Sequence, residues 1–344
     1  MIRVGIIGST GQVGEGLIRI LVGHPQAELT FLASEHAAGQ DIADVLPALR
    51  GSISQKTRPP DIDAMPRDCD VVFMAKKTPD SMQIAPRLLD AGVKAIDIGG
   101  EFRLKDAALY KRYYGEDHTC PELLAEAVYG LTELHREQLR TARLIANPGC
   151  YPTSAILPLA PLLKAKLIEP DGICVNSVSG LSGAGRTYSP KVHNLFVACD
   201  EDVRAYGFVT HKHRPEIEQE LSLAAGRRIA IVFQPHLVPL DRGMFTTIYA
   251  TSSATADRVL ACWRDAYGRE PFIRIFDKPG HVNLRQVAGT NYCDLSAASD
   301  PRTGRIILVS ALDNTVKGAA GQAVQNMNVA FGIEETTALL RRGI

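Results

Sequence analysis

The first fourteen residues constrain this chain more than any other stretch. Residues 2–7 (IRVGII) form a short continuous apolar run, GSTGQVG follows, and residues 15–22 repeat apolar side chains at helical spacing. A strand, a glycine-rich turn and a helix in immediate succession predict the first crossover of a parallel sheet. Strand-like runs at 28–33, 70–74 and 94–98, with a helical stretch at 81–91, continue the alternation. The expected class is α/β, a Rossmann-type doubly wound parallel sheet with right-handed crossovers.

Gly8, Gly11 and Gly14 make a GxxGxxG pattern directly after the first strand. Without side chains there, backbone amides at a helix N-terminus can approach a pyrophosphate, and the helix dipole favours its charge. Gly8, Ser9, Thr10, Gly11, Gln12, Val13 and Gly14 are therefore the expected cofactor-binding turn. The spacing differs from GxGxxG, and a tight turn without ligand would use the same glycines. The second strand ends LTFLASE, where Ser34 can donate to a ribose 2′-phosphate and Glu35, pointing inward, would repel one. On these residues alone, NADP and NAD both remain open.

At 344 residues the chain is long enough for two domains of roughly 100–200 residues each. The pattern changes after residue 148. A helix is expected at 154–163, then longer strands at 172–179, 228–233, 245–251 and 305–311, giving an α+β domain with a largely antiparallel sheet. The tail 316–331 reads as a helix rich in Ala, Gln and Asn that packs back on the first domain. The expected domains are 1–148 with 316–344 for dinucleotide binding, and 149–315 for catalysis and oligomerisation.

Lys plus Arg and Asp plus Glu both number 38, which offers no electrostatic footprint for nucleic acid or an anionic membrane. Seven cysteines show no CxxC spacing, no signal peptide is evident, and the apolar runs are short and proline-interrupted. Free thiols in a reducing cytoplasm are expected.

One cysteine stands apart. Cys150 lies in NPGCYPT (147–153), with Gly149 directly before it and prolines at 148 and 152. Pro152 suits the first turn of a following helix, so Cys150 is expected at a helix N-terminus, where the dipole stabilises a thiolate. Asn147 is placed to donate to a developing oxyanion. A thiolate nucleophile needs an acid or base within reach. HKHRPEIEQ offers His211 and His213, two apart and hence on one face of an extended chain, ahead of a Pro215-initiated helix carrying Glu216 and Glu218. His-x-His also suits a metal, but no third ligand is evident and none is expected. Two arginines complete the anion-binding candidates. SGLSGAGR supplies Ser182, Gly183 and Arg186, and DIGGEFR places Arg103 just past a strand's carboxyl end.

GxxGxxG, ANPGCYPT, SGLSGAGR, HKHRPEIEQ and DNTVKGAAGQAVQN, in this order from Gly8 to Asn328, together resemble the N-acetyl-γ-glutamyl-phosphate reductases of arginine biosynthesis, in the aspartate-semialdehyde dehydrogenase-like group. The resemblance implies an NADP-dependent reductase with Cys150 as nucleophile and His211 or His213 as acid. It implies Arg103 as an anion contact and the Asp313-Asn314 pair near the nicotinamide; Ser182, Gly183, Arg186 and Glu218 are expected on the substrate. A homodimer or homotetramer acting on a small acyl phosphate in the cytoplasm is expected. The chain departs from the family in reading DIGGEFRL where relatives read more like DLSADFRL, and in Glu35 where a basic residue is common. Alternatives at this stage are a carrier-protein-linked aminoadipyl-phosphate reductase and a non-catalytic nucleotide-binding regulator.

Overall fold

The computed structural model describes residues 1–76, 80–184 and 199–340. By internal contacts the chain forms two compact units, Met1–Pro148 with Ala319–Ile344, and Gly149–Gly318.

The first unit begins as the sequence predicts, with β1 (Ile2–Ile7), α1 (Gln12–Leu21) and β2 (Ala27–Ala33). It continues through β3 (Val71–Met74), α2 (Asp80–Asp90), β4 (Lys94–Asp97) and α3 (Ala107–Tyr114). β5 (Val128–Tyr129), α4 (Thr132–Leu139) and β6 (Leu144–Ala146) complete it before the chain leaves. All six strands are parallel, in the order β2-β1-β3-β4-β6-β5. β1 has β2 on one side and β3 on the other, so its carboxyl end is a topological switch point, where open α/β sheets bind ligands. β3 is buried along its whole length, which is why it reads as an uninterrupted apolar run.

In the second unit α5 (Cys150–Lys164) leads into β7 (Ile173–Ser179). There follow β8 (Arg204–Ala205), α6 (His213–Ala225), β9 (Ile231–Leu237) and β10 (Met244–Thr251). α7 (Ala256–Tyr267), β11 (Ile273–Ile275), β12 (Cys293–Asp300) and β13 (Arg305–Leu312) close the unit. The sheet order is β11-β12-β13-β10-β7-β9-β8, antiparallel except for the β7–β9 and β11–β12 pairs. Helices α5, α6 and α7 pack on one face. On the other, Val232, Cys174, Tyr249 and Ile307 are register neighbours across four strands, and Val232 is 62% exposed.

α5 carries Pro158 and Pro161 in its interior, each removing the amide that would bond the carbonyl four residues back. Those carbonyls belong to Ser154 and Leu157. Ser310 Oγ donates to the first at 2.6 Å and the Tyr267 hydroxyl to the second at 2.7 Å. β13 and α7 thus supply what the prolines withhold, and a helix that is almost wholly buried keeps its carbonyls satisfied.

After β13 the chain makes a π-helical turn at Val316–Ala320 and returns to the first unit as α8 (Gly321–Ala330), every residue of which is buried. Its amide side chains pair inside that unit. Asn326 Nδ2 donates to Gly130 O at 2.8 Å and to Asn147 Oδ1 at 3.0 Å, and Thr132 Oγ1 donates to Asn326 Oδ1 at 2.7 Å.

Candidate active site

Cys150 is the first residue of α5, with Gly149 as N-cap in extended conformation and no side chain capping the helix. The partial positive charge of that terminus therefore falls on the thiol. Gly149 is held at both ends, its amide donating to Glu216 Oε1 at 2.8 Å and its carbonyl accepting from Thr153 N at 3.0 Å. A Cβ on Gly149 would lie 2.5 Å from His213 Nε2, so only hydrogen lets the imidazole pack against the residue before the cysteine. On another side, a Cβ on Gly318 would lie 2.7 Å from Cys150 Cβ. The thiol is thus mounted on backbone that tolerates no added atom at two flanking positions.

His211 and His213 are neighbours, but not for the expected reason. The chain at 207–212 is a turn, with His211 N bonded to Gly207 O, and His213 opens α6. Their ring centroids lie 4.9 Å apart, tilted by 64°. Tyr151 meets both rings edge-on, at 5.4 Å and 5.7 Å, and its hydroxyl lies 2.9 Å from that of Tyr206. Phe233 and Tyr206 close round His211. His211 Nδ1 accepts from the His213 amide at 3.1 Å, and burial pushes its pKa down to about 4. It is a neutral imidazole carrying its proton on Nε2.

Glu218, expected on the substrate, instead accepts from Ile231 N at 3.1 Å and anchors the start of β9. The glutamate bonded to the residue before the cysteine is Glu216, 1% exposed, to which its sequence context assigns no role. The glycine-rich loop is anchored by Ser182 N to Asp241 O at 2.9 Å. Asn314 ties two loops, accepting from Gly243 N at 2.6 Å and donating to Ser182 Oγ at 3.0 Å. Gly183 lies against Asn314 and against the Ser179 hydroxyl, which also faces the Tyr151 phenol. Arg186 lies outside the described residues.

In the first unit the candidate residues gather at strand carboxyl ends. Gly8 has φ +80°, and a Cβ there would sit 2.6 Å from Ala75 O. One on Gly14 would sit 2.3 Å from Gly8 O. Gly11 caps α1 without a side-chain hydrogen bond, and Gln12, Val13 and Gly14 form the first turn. This cradle fits a pyrophosphate laid on the helix N-terminus. Ser9 does not belong to its surface. It is fully buried, with amide and hydroxyl both donating to Ala33 O. Thr10 Oγ1 lies 3.0 Å from Ser34 Oγ, which brings the turn to the end of β2. Glu35 there is paired with Lys76, which also bonds Asp80 at 2.5 Å.

Asn147 corrects a further expectation. It is fully buried, its amide nitrogen donating to Ala319 O at 3.2 Å and its amide oxygen accepting from Asn326. It anchors the segment before the cysteine and is not poised to donate to an oxyanion. Its carbonyl accepts from Arg103 Nε at 2.7 Å, and Arg103 Nη2 donates to Ile98 O at 2.9 Å. Among the described residues no His, Cys, Asp or Glu cluster is arranged to hold a metal.

With this geometry in hand, comparison with known proteins is informative. Residues 3–142 match the family model described as semialdehyde dehydrogenase, NAD binding domain, and residues 150–314 match semialdehyde dehydrogenase, dimerisation domain. The chain is 46% identical to an N-acetyl-gamma-glutamyl-phosphate reductase of Symbiobacterium thermophilum over 99% of its length and 98% of the relative's. It is 45% identical to one of Geobacter sulfurreducens, over 98% of each. Among solved structures it resembles aspartate semialdehyde dehydrogenase II of Vibrio cholerae complexed with ASA, with TM-score 0.72, 18% identity and coverage of 96% and 98%. It also resembles the Candida albicans aspartate semialdehyde dehydrogenase with NADP, with TM-score 0.69, 17% identity and coverage of 96% and 98%.

Proposed function

The chain belongs to the N-acetyl-γ-glutamyl-phosphate reductase family, and on that premise we propose that it reduces N-acetyl-γ-glutamyl phosphate to N-acetylglutamate semialdehyde with release of phosphate, in arginine biosynthesis. The observation that carries the chemistry is Cys150 at the N-terminus of α5, with the His213 imidazole packed on Gly149 beside it.

The Cys150 thiolate attacks the acyl carbon, the bond to the phosphate oxygen breaks, and phosphate leaves with the electron pair, giving a thioester on Cys150. A nicotinamide dinucleotide held on the turn Gly8–Gly14 would supply the hydride that reduces the thioester carbon. His213 gives a proton to the resulting oxygen, forming a hemithioacetal. It recovers that proton as the C–S bond breaks and Cys150 departs as thiolate. Assigning this work to His213 follows from its contact with Gly149, whereas His211 is enclosed by aromatic rings and serves to orient the His213 amide. Tyr151 and Glu216 position the pair, and Arg103 receives the carboxylate of the substrate.

The cofactor reading is NADP. Lys76 offsets the charge of Glu35, and Ser34 stands with Thr10 at the end of β2 facing the glycine turn. The open face of the second unit's sheet, with its row Val232, Cys174, Tyr249 and Ile307, is read as the surface on which two copies meet. No described helix is long and apolar enough to cross a membrane, and the enzyme is read as cytoplasmic.

The test is the reverse reaction, in which purified protein receives N-acetylglutamate semialdehyde, phosphate and either NADP or NAD. Phosphate-dependent reduction of NADP is expected. Cys150→Ser should lose at least a thousandfold in rate while still binding the nucleotide. Near-normal turnover in that variant would sink the assignment.

A further inference from the structure

Glu101 takes no part in the chemistry above, yet it is the most conspicuous acid in the first unit. Its side chain is fully buried, and among the described residues no N–H donor reaches either carboxyl oxygen. It faces Asp97, a second fully buried acid, at the end of β4. Asp97 accepts from the amides of Gly99 at 3.1 Å, Gly100 at 3.1 Å and Phe102 at 3.3 Å. Two adjacent carboxylates in a dry site cannot both hold a charge. Burial first, and Asp97 second, push Glu101 up to about 9.

Among the described residues, the other polar groups round Glu101 include Arg103 on the same turn, Tyr110 on α3, and His118, whose Nε2 lies 3.1 Å from the Glu101 carbonyl. Burial keeps His118 below its ordinary pKa. The only cation near Glu101 among these is therefore Arg103.

Space around the turn is equally tight. A Cβ on Gly99 would lie 2.2 Å from Glu101 Oε2. Gly100, at φ +114°, has the Tyr114 hydroxyl 2.8 Å and Arg103 Nη1 3.3 Å from where its Cβ would be. The turn is threaded between the Glu101 carboxyl on one side and Tyr114 with Arg103 on the other.

We propose that Glu101 is a positioning residue for Arg103. As an uncharged acid packed on Gly99 and Asp97, it holds the turn 98–102 in the conformation that lets the carbonyls of Ile98 and Asn147 grip the guanidinium. An ionised Glu101 would compete with those carbonyls for Arg103 and draw it off the substrate. The proposal rests on the reading of Arg103 as the carboxylate contact, and its test separates the two.

Glu101→Ala, Glu101→Gln and Arg103→Ala are compared in the reverse assay, and amide hydrogen exchange is followed at Gly99, Gly100 and Phe102. Glu101→Ala should raise KM for the semialdehyde at least tenfold, leave nucleotide affinity unchanged, and speed exchange at those amides. Glu101→Gln, which has the same shape and cannot ionise, should restore both, and should lack the rise in KM expected of the unaltered protein above about pH 9. If Glu101→Ala does not fold, Glu101→Asp, shorter by one methylene, carries the same measurements. Unchanged exchange in the truncated variant overturns the proposal, as does a Gln variant no better than Ala. If Arg103→Ala leaves KM unmoved, it is the reading of Arg103 that fails, and exchange alone decides whether Glu101 holds the turn.

Discussion

At the scale of single residues, the two histidines of the HKH sequence have different surroundings. His211 is walled in by Tyr151, Tyr206 and Phe233, and its folded-state pKa of about 4 lies below the roughly 6.5 of an unfolded histidine. Between these values the unfolded chain binds a proton that the folded one does not. The contribution to stability is complete above about pH 6.5 and is lost as pH falls toward 4. The melting temperature should therefore drop across that window, and His211→Phe, which cannot take the proton, should flatten the drop. A variant whose melting temperature falls as steeply as the parent's would contradict the assignment.

Cys150 was legible as a candidate nucleophile because its signal is local, a thiol bracketed by glycine and prolines within seven residues. Glu216 was not. It and Glu218 sit two apart on one helix, about 200° round its axis, so which of them faces Cys150 depends on where α6 begins and how it packs. Asn147 misled for a related reason. Adjacency to the cysteine suggested catalysis, but its partner Asn326 is 179 residues away and no local pattern announces it.

Elements show the same division. β1, β3 and β4 are buried runs in a parallel sheet, and such runs are easy to read. β12, reading CDLSAASD, has small and polar residues at buried positions, and its place is set by pairing with β13 and packing under α7. α5 depends on its neighbours in another way, since two of its carbonyls accept from Ser310 and Tyr267 where prolines withhold the amide. Ser310→Ala leaves the buried Ser154 carbonyl short of a donor and should cost about 1–3 kcal/mol. Urea denaturation measures this directly, and a loss below about 0.5 kcal/mol would mean that the helix re-forms its bonding around Pro158.

For the whole molecule, the open face of the second sheet is the feature with the widest reach. Val232, Cys174, Tyr249 and Ile307 form an apolar row across four strands where a solvated sheet would alternate in polar groups. Val232→Glu puts a charge at one end of it, next to Cys174. Light scattering of the purified protein should show a dimer or larger assembly, and the variant should be smaller by at least half. An unchanged mass in the variant would move the interface elsewhere.

The chain crosses between its two units twice, at Pro148–Gly149 and again at Gly318–Ala319. This has a consequence for synthesis. The second unit is one unbroken segment and has everything it needs once residue 318 has left the ribosome. The first unit, although translated first, must wait for α8 to fill the slots beside Gly130, Thr132 and Asn147. During that interval its polar groups and apolar surface stand uncovered, so the half of the protein that begins first is finished last, and it is the half most exposed to chaperones and to aggregation.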